Sequence, residues 1–520
     1  MKAFLMYPDR DFDPGAKLPP NGDALIKDLE LGAILNTMAQ GDAFLLGIAS
    51  VAMLTGGTDL SIIRYRQDIL RDCLNHPRAV RGIYDAAVEA ASLRRKHWHS
   101  SFDYIGGMLS RAIELVEGLN KYLRHLRGVA DAGGREFASG GFKAFFAMLR
   151  SELDDQFFAG VQGHLDRLKF RSGTDISARL GEGNRGIDYV LRRPPGRPES
   201  WLGRLLNEEP SAWIDHLFKP QPPSFIYRLH PRDEAGARAL SELRDTGIEL
   251  VALALDESVT HMLSFFEMLR NELGFYIGCL NLADQLNARG AAFAFPEPAP
   301  SGERRFDCAG LYDLSLSLTL GRKIVGNDIK ADGKSLLVLT GANQGGKSTF
   351  LRSVGQAQLM MQCGMFVPAG AYTADVADGI FTHYKREEDS GMTSGKLDEE
   401  LGRMSETIDL IKPNSLWLSN ESFAATNERE GSEIARQIVR ALLERRVKLV
   451  MVTHLYDLAH SLSVNRTDET YFLRAERRET GERTFRLIEA DPLETSYGED
   501  LYRLVFGDDA TAQRAVVAAQ

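Results

Sequence analysis

Eight consecutive residues, Gly341-Ala342-Asn343-Gln344-Gly345-Gly346-Lys347-Ser348, constrain this 520-residue chain most. An apolar run, Leu336-Leu337-Val338-Leu339-Thr340, leads into them, and Phe350, Leu351, Val354 and Leu359 follow at helical spacing. This is strand, glycine loop, helix. The glycines let the backbone curl until several N–H groups point at one place, and the helix that follows adds the positive end of its dipole. A lysine and a hydroxyl close the pattern G-x-x-x-x-G-K-[ST], which is the pattern of a polyphosphate cradle. The expected occupant is ATP with Mg²⁺. Gly341, Asn343, Gly345, Gly346, Lys347, Ser348 and Thr349 are the candidate contacts. Lys347 would reach the β/γ position, and the Ser348 hydroxyl would face the metal.

Such a loop needs further groups from neighbouring strands. Leu416-Trp417-Leu418-Ser419 is a second apolar run and ends in Asn420-Glu421. The usual pair here is Asp then Glu, the first supporting the metal and the second polarising the attacking water. Asn420 keeps the hydrogen bonding of an Asp without its charge, so slow hydrolysis is expected. Glu421 remains available as a base. A third run, Lys448-Leu449-Val450-Met451-Val452, ends in Thr453-His454. His454 is placed to bond the γ-phosphate or the water. Glu421, His454 and Lys347 are therefore the candidate catalytic residues, and Ser348 and Asn420 the candidate metal contacts.

The length suggests about three or four domains, and 44% hydrophobic residues supply ample core. Helical spacing marks the first part, as in Leu29, Leu31, Ile34, Leu35 and Met38. Two alternating runs, Asp175 to Leu180 and Ile187 to Leu191, flank a glycine-rich stretch and predict a hairpin. Helical spacing returns from Asp233 to Ala288, and Pro296 to Gly302 reads as a linker. The expected organisation is a helical core and lever over 1–168, a small β-containing insert over 169–230, returning lever helices over 231–295, and an α/β P-loop domain over 296–520. The fold class is thus multidomain, α-helical and then α/β. Four scattered cysteines without a Cys-x-x-Cys pair fit reduced thiols and a cytoplasmic protein. No apolar run is long enough to suggest a membrane span.

Beyond the loop, several ordered motifs resemble the MutS family of DNA mismatch-repair ATPases. Thr340 to Thr349 is similar to that family's Thr-Gly-Pro-Asn-Met-Gly-Gly-Lys-Ser-Thr. Asn327-Asp328-Ile329, Cys363 to Ala369, Ile380-Phe381-Thr382, Ser394-Gly395, Glu430-Gly431, Thr453-His454 and Ser496-Tyr497-Gly498 also resemble it. The resemblance implies a composite, ABC-type ATPase in which two subunits complete each other's sites. Ser394 is then the candidate trans contact. The pattern departs from the family after Gly395, where Lys396-Leu397-Asp398-Glu399-Glu400 replaces a basic residue and Ser-Thr-Phe. Nothing before the helical part resembles the mismatch-reading domain, and nothing after the α/β part resembles an Smr nuclease. A reduced homologue of core, lever and ATPase is expected.

The resemblance implies a homodimeric, ATP-gated clamp on duplex or branched DNA, sensing mismatch, branch or distortion without reading sequence. The insert supplies Arg179, Arg185, Arg192 and Arg193 as candidate phosphate contacts. The net charge of −10 requires any such contact to be a local patch. The alternative is a nucleotide-dependent protein-interaction switch, on a ribosome or a repair partner, without DNA affinity. A chromosome-organising ATPase would need long heptad arms, and no sustained a/d repeat is present.

Overall fold

The computed structural model describes residues 1–97, 105–168, 175–180, 186–192, 234–386, 395–478 and 483–494. The chain divides into two compact units. The first comprises Met1, 85–131 and 147–267, and the second 2–84, 132–146 and 268–520.

The first unit contains most of α5 (Pro77–His97) and α6 (Ile105–Gly133), the end of α7 (Gly140–Glu152), and α8 (Asp155–Leu168). It also contains β1 (Asp175–Leu180), β2 (Gly186–Arg192) and the first part of the 55-residue α9 (Glu234–Ala288). Small residues on α5, among them Ala86, Ala87 and Ala90, are buried, as are Leu115, Leu119 and Leu123 of α6. The Tyr122 hydroxyl donates to Glu89 Oε2 at 2.9 Å across this pair. β1 and β2 form the expected antiparallel hairpin, with Asp175 opposite Arg192 and Arg179 opposite Ile187. The strand expected at Ser224 to Leu229 lies outside the described residues.

The second unit begins with α1 (Gly22–Asp28), α2 (Leu31–Ala39), α3 (Ala43–Leu54) and α4 (Leu60–Asn75). Asp42 and Asp59 cap α3 and α4 by accepting backbone N–H bonds, a typical way to satisfy the first turn. The rest is α/β. A six-stranded sheet has the order β12-β11-β6-β10-β9-β8. Its members are β6 (Leu336–Gly341), β8 (Ile380–Tyr384), β9 (Leu416–Asn420), β10 (Lys448–Val452), β11 (Thr470–Arg477) and β12 (Arg483–Glu489). Five run parallel and only β12 is antiparallel. Parallel strands covered on both faces read as unbroken apolar runs, and the first five residues of β6 and all of β10 are buried.

The helices of this half are α10 (Leu314–Leu320), α11 (Lys347–Gln362), α12 (Lys396–Ile408), α13 (Glu428–Glu444) and α14 (Tyr456–Val464). Trp417, Phe423, Val439, Leu442, Leu449 and Phe472 form one shared core between sheet and helices. A second sheet has the order β3-β7-β4-β5, from β3 (Glu297–Ala299), β4 (Phe306–Leu311), β5 (Asn327–Lys330) and β7 (Ala371–Asp375). The stretch expected to be a linker therefore carries an edge strand. Pro298 has no N–H to give, which an edge position tolerates. Among the described residues no helix is long and apolar enough to cross a membrane.

Candidate active site

The loop joins the C-terminal end of β6 to α11, between β11 and β10. Gly346 has φ 94° and sits at the N-cap of α11, a conformation open to glycine and costly for most residues. At Gly345 a Cβ would stand 2.6 Å from the Ala475 Cβ and 2.9 Å from the Ala342 oxygen. The cradle thus has room for backbone alone. Gln344 also takes a left-handed conformation, φ 58°.

Lys347 is 4% exposed. Its Nζ donates to the carbonyl oxygens of Gly341 at 2.9 Å and Ala342 at 2.8 Å. Burial pulls its ammonium down to about 8, with Glu421 opposing and Arg483 assisting. Ser348 Oγ donates to Asn420 Oδ1 at 2.8 Å. Glu421 follows directly, and its Oε1 lies 3.1 Å from His454 Nε2. The His454 hydrogen bond is the main cause holding the Glu421 carboxyl below its usual range, against burial. Glu421 N–H donates to the Val452 oxygen at 2.9 Å, so the ends of β9 and β10 fix each other. The fold brings Lys347, Ser348, Asn420, Glu421 and His454 to one sheet edge, while Gly341, Asn343 and Thr349 belong to the same loop and helix start.

The turn after β9 is unusual. Glu421 and Phe423 both have positive φ, 55° and 63°. Ser422 between them donates to the His383 oxygen at 2.9 Å and lies 2.7 Å from His383 Nδ1. The Phe423 N–H donates to Glu400 Oε1, on α12, at 2.7 Å. His383 stacks between Trp417 and Phe423, and burial, followed by Arg403, pushes its imidazole down to about 4. Residues held in sparsely populated backbone regions cluster at functional sites and persist when their surroundings over-determine them. His383, Ser422 and Glu400 supply that support and were not singled out from sequence. Glu400 appeared there only as a departure from a motif.

The middle of α11 is anchored too. Arg352 pairs with Asp313 and Glu30. Gln356 donates to the Leu29 oxygen and to Asp313 Oδ1, both at 3.0 Å.

Beside the loop lies a cavity of about 480 Å³, lined in part by Asn327, Gln344, Gly346, Thr349, Phe350 and Phe485. Asn327 Oδ1 accepts the Leu487 N–H at 2.7 Å, tying β5 to β12 and holding Phe485 over Gly346. The volume falls in the ordinary range for small-molecule sites. Sequence reasoning marked Asn327 only as part of a motif and missed Phe485.

For a magnesium ion the donors present are the Ser348 hydroxyl and the Asn420 amide oxygen. Both are hard oxygens of the right type, and an ion held by few protein groups completes its shell with phosphate and water. The set fits, but carries no charge of its own. Ser394, Arg185 and Arg193 lie outside the described residues, as does Ser496-Tyr497-Gly498. Arg179 lies on β1 and Arg192 ends β2.

The MutS2 N-terminal domain matches residues 58–289, and MutS domain V matches 337–518. The DNA mismatch repair protein MutS of Prochlorococcus marinus (strain MIT 9301) is 29% identical over 165 residues, 31% of this chain and 18% of the relative. MutS protein homolog 4 of Homo sapiens is 28% identical over 151 residues, 29% of this chain and 16% of the relative. The MutS of Thermotoga sp. (strain RQ2) is 36% identical over 138 residues, 26% of this chain and 17% of the relative. The match thus spans less than a fifth of each of these relatives. Two domain models in helical-then-α/β order, together spanning most of the sequence, identify this chain as a member of the MutS family.

Proposed function

We propose that this chain binds and hydrolyses ATP at the loop Gly341 to Ser348, and that nucleotide occupancy controls a homodimer that engages DNA by shape. The observation that carries the reading is the convergence of Lys347, Ser348, Asn420, Glu421 and His454 at the ends of three adjacent parallel strands. The backbone N–H groups of the loop and Lys347 hold the phosphates. Lys347 gives two of its three N–H donors to the Gly341 and Ala342 oxygens, which leaves one for a phosphate oxygen. Ser348 and Asn420 would hold Mg²⁺, which when bound supplies charge neutralisation across the β- and γ-phosphates. Glu421 accepts a proton from the attacking water as the new P–O bond forms and the β–γ bridging bond breaks. His454 keeps Glu421 ionised until then. Asn420 lacks the usual negative charge, so turnover is expected to be slow.

Ser394 is the proposed trans contact that completes the partner's site. Arg179, Arg185, Arg192 and Arg193 are the proposed contacts to DNA phosphates, a sequence-independent mode that salt weakens. The relatives named for DNA mismatch repair favour DNA over a purely protein partner. The buried free cysteines fit a reducing compartment and support the proposal of a cytoplasmic setting. The test is ATP turnover with no DNA and with linear, mismatched and branched duplex. Stimulation that differs among these, and that falls with salt, is expected. Turnover unchanged by every DNA, with no gel shift at low salt, would leave ATP-driven dimerisation as the function and remove DNA from it.

A further inference from the structure

The hairpin of β11 and β12 packs directly on the phosphate loop. The Ala475 nitrogen lies 3.0 Å from where a Gly341 Cβ would stand, and the Phe485 oxygen 3.2 Å from that of Gly346. Arg483 begins β12, opposite Arg477 in the antiparallel register and two residues before Phe485. β12 is irregular between Arg483 and Leu487, where the register slips and Phe485 takes φ 59°, and Phe485 lines the cavity beside the loop.

The Arg483 guanidinium is in an unusual position. Its Nε and Nη2 are shut off from solvent and have no hydrogen-bond partner among the described residues, although the residue as a whole is part-exposed. An acid stands nearby on the facing strand, but Glu476 Oε2 accepts the Thr484 hydroxyl at 2.7 Å. The field of Arg483 reaches Lys347, where after burial it is the second cause that disfavours the ammonium. Among the described residues Lys347 Nζ donates to the two loop carbonyls. Buried charges are normally paired, and buried donors normally satisfied. Here the charge of one cation acts on another in the loop, and two enclosed guanidinium donors are unmet. The arrangement becomes favourable when an anion with several acceptor oxygens enters, and a planar guanidinium suits phosphate oxygens well.

We propose that Arg483 is a phosphate-binding residue of the nucleotide site, donating Nε–H and Nη2–H to the polyphosphate of ATP. This rests on the reading of the loop as a nucleotide site. It adds a cation delivered by the β11–β12 hairpin to the groups supplied by the loop, β9 and β10. Binding of ATP would then tie β12 to the loop. Phe485, two residues on, would close with it over the cavity.

The two roles open to Arg483 predict opposite effects of removal. A residue that merely supports the hairpin leaves a less stable protein when replaced. A residue kept unpaired for a ligand leaves a protein that is as stable or more stable when empty, since repulsion from Lys347 is relieved. The experiment uses the full chain and compares wild type, Arg483→Met and Arg483→Lys. Calorimetric titration with ATP and thermal melting without nucleotide are measured on each. Arg483→Met is expected to bind ATP at least about tenfold more weakly, the loss of one charge-assisted contact. Its melting temperature without ATP should equal or exceed that of the wild type. Arg483→Lys restores the charge without the fork and should recover part of the affinity. An Arg483→Met protein that binds ATP as tightly as wild type overturns the inference alone. So does weakened binding that comes with a lower melting temperature. A wild-type protein that binds no ATP overturns the nucleotide reading and this inference with it.

Discussion

Replacing Glu400 by Ala is expected to slow ATP turnover while leaving ATP affinity unchanged. Glu400 touches neither the loop nor the cavity. It accepts the Phe423 N–H at 2.7 Å, and its residue is only 4% exposed. Phe423 and Glu421 both sit in the left-handed region, which costs an ordinary L-residue roughly 1–2 kcal/mol each. A buried N–H left without an acceptor costs about 1–3 kcal/mol. The two magnitudes are comparable, so removing Glu400 takes away about as much as holds one strained residue in place. The turn then spends much of its time with Glu421 away from the position set by His454. Each 1.4 kcal/mol is about tenfold in rate, so a fall in kcat of roughly 10- to 100-fold is expected. The assay is single-turnover hydrolysis beside calorimetric ATP titration. Glu400→Gln keeps a carbonyl acceptor and should restore most of the rate. Wild-type kcat in Glu400→Ala, or recovery no better with Gln than with Ala, would refute the reasoning.

Three further expectations follow from the geometry. Asn420→Asp places a charge 2.8 Å from the Ser348 hydroxyl, so half-maximal turnover should need less Mg²⁺ and the rate should rise; an unchanged Mg²⁺ titration would contradict the role given to Asn420. Lys347 is pulled from 10.5 to about 8, so between these values the unfolded chain binds more protons and stability without nucleotide should rise with pH. Phosphate favours the charged form, so ATP binding above about pH 8 should take up a proton and weaken as pH rises. Calorimetry in two buffers of different ionisation heat reads this, and Lys347→Met should abolish it. At Gly355, inside α11, a Cβ would lie 2.5 Å from Leu29 Cδ2 and 2.7 Å from Leu418 Cδ1. Helix propensity favours Ala by about 1 kcal/mol, but overpacking costs roughly 1–3 kcal/mol, so Gly355→Ala should lower the melting temperature rather than raise it.

What the sequence reveals of this molecule follows from how local each feature is. The loop is legible because its glycines, lysine and serine are contiguous. β6, β9 and β10 are legible because strands covered on both faces read as apolar runs. β11 and β12 carry arginines at 474, 477, 483 and 486 and look like a solvated segment; only the register shows that they lie on the loop. β3 hides behind Pro296 and Pro298 because prolines signal a linker and an edge strand alike. Helical spacing shows that Leu29 faces inward, but not that it meets α11 at Gly355. Glu400 and His383 act through the turn beside them, a relation that spans 17 to 39 residues and leaves no spacing to read.

The central claim is that the loop is an ATP site worked by Glu421. Equilibrium ATP binding and single-turnover hydrolysis, measured together on wild type, Lys347→Ala and Glu421→Ala, test it most directly. The account predicts slow hydrolysis by the wild type, loss of tight binding in Lys347→Ala, and tight binding without hydrolysis in Glu421→Ala. Undiminished binding in Lys347→Ala, or normal turnover in Glu421→Ala, would contradict it.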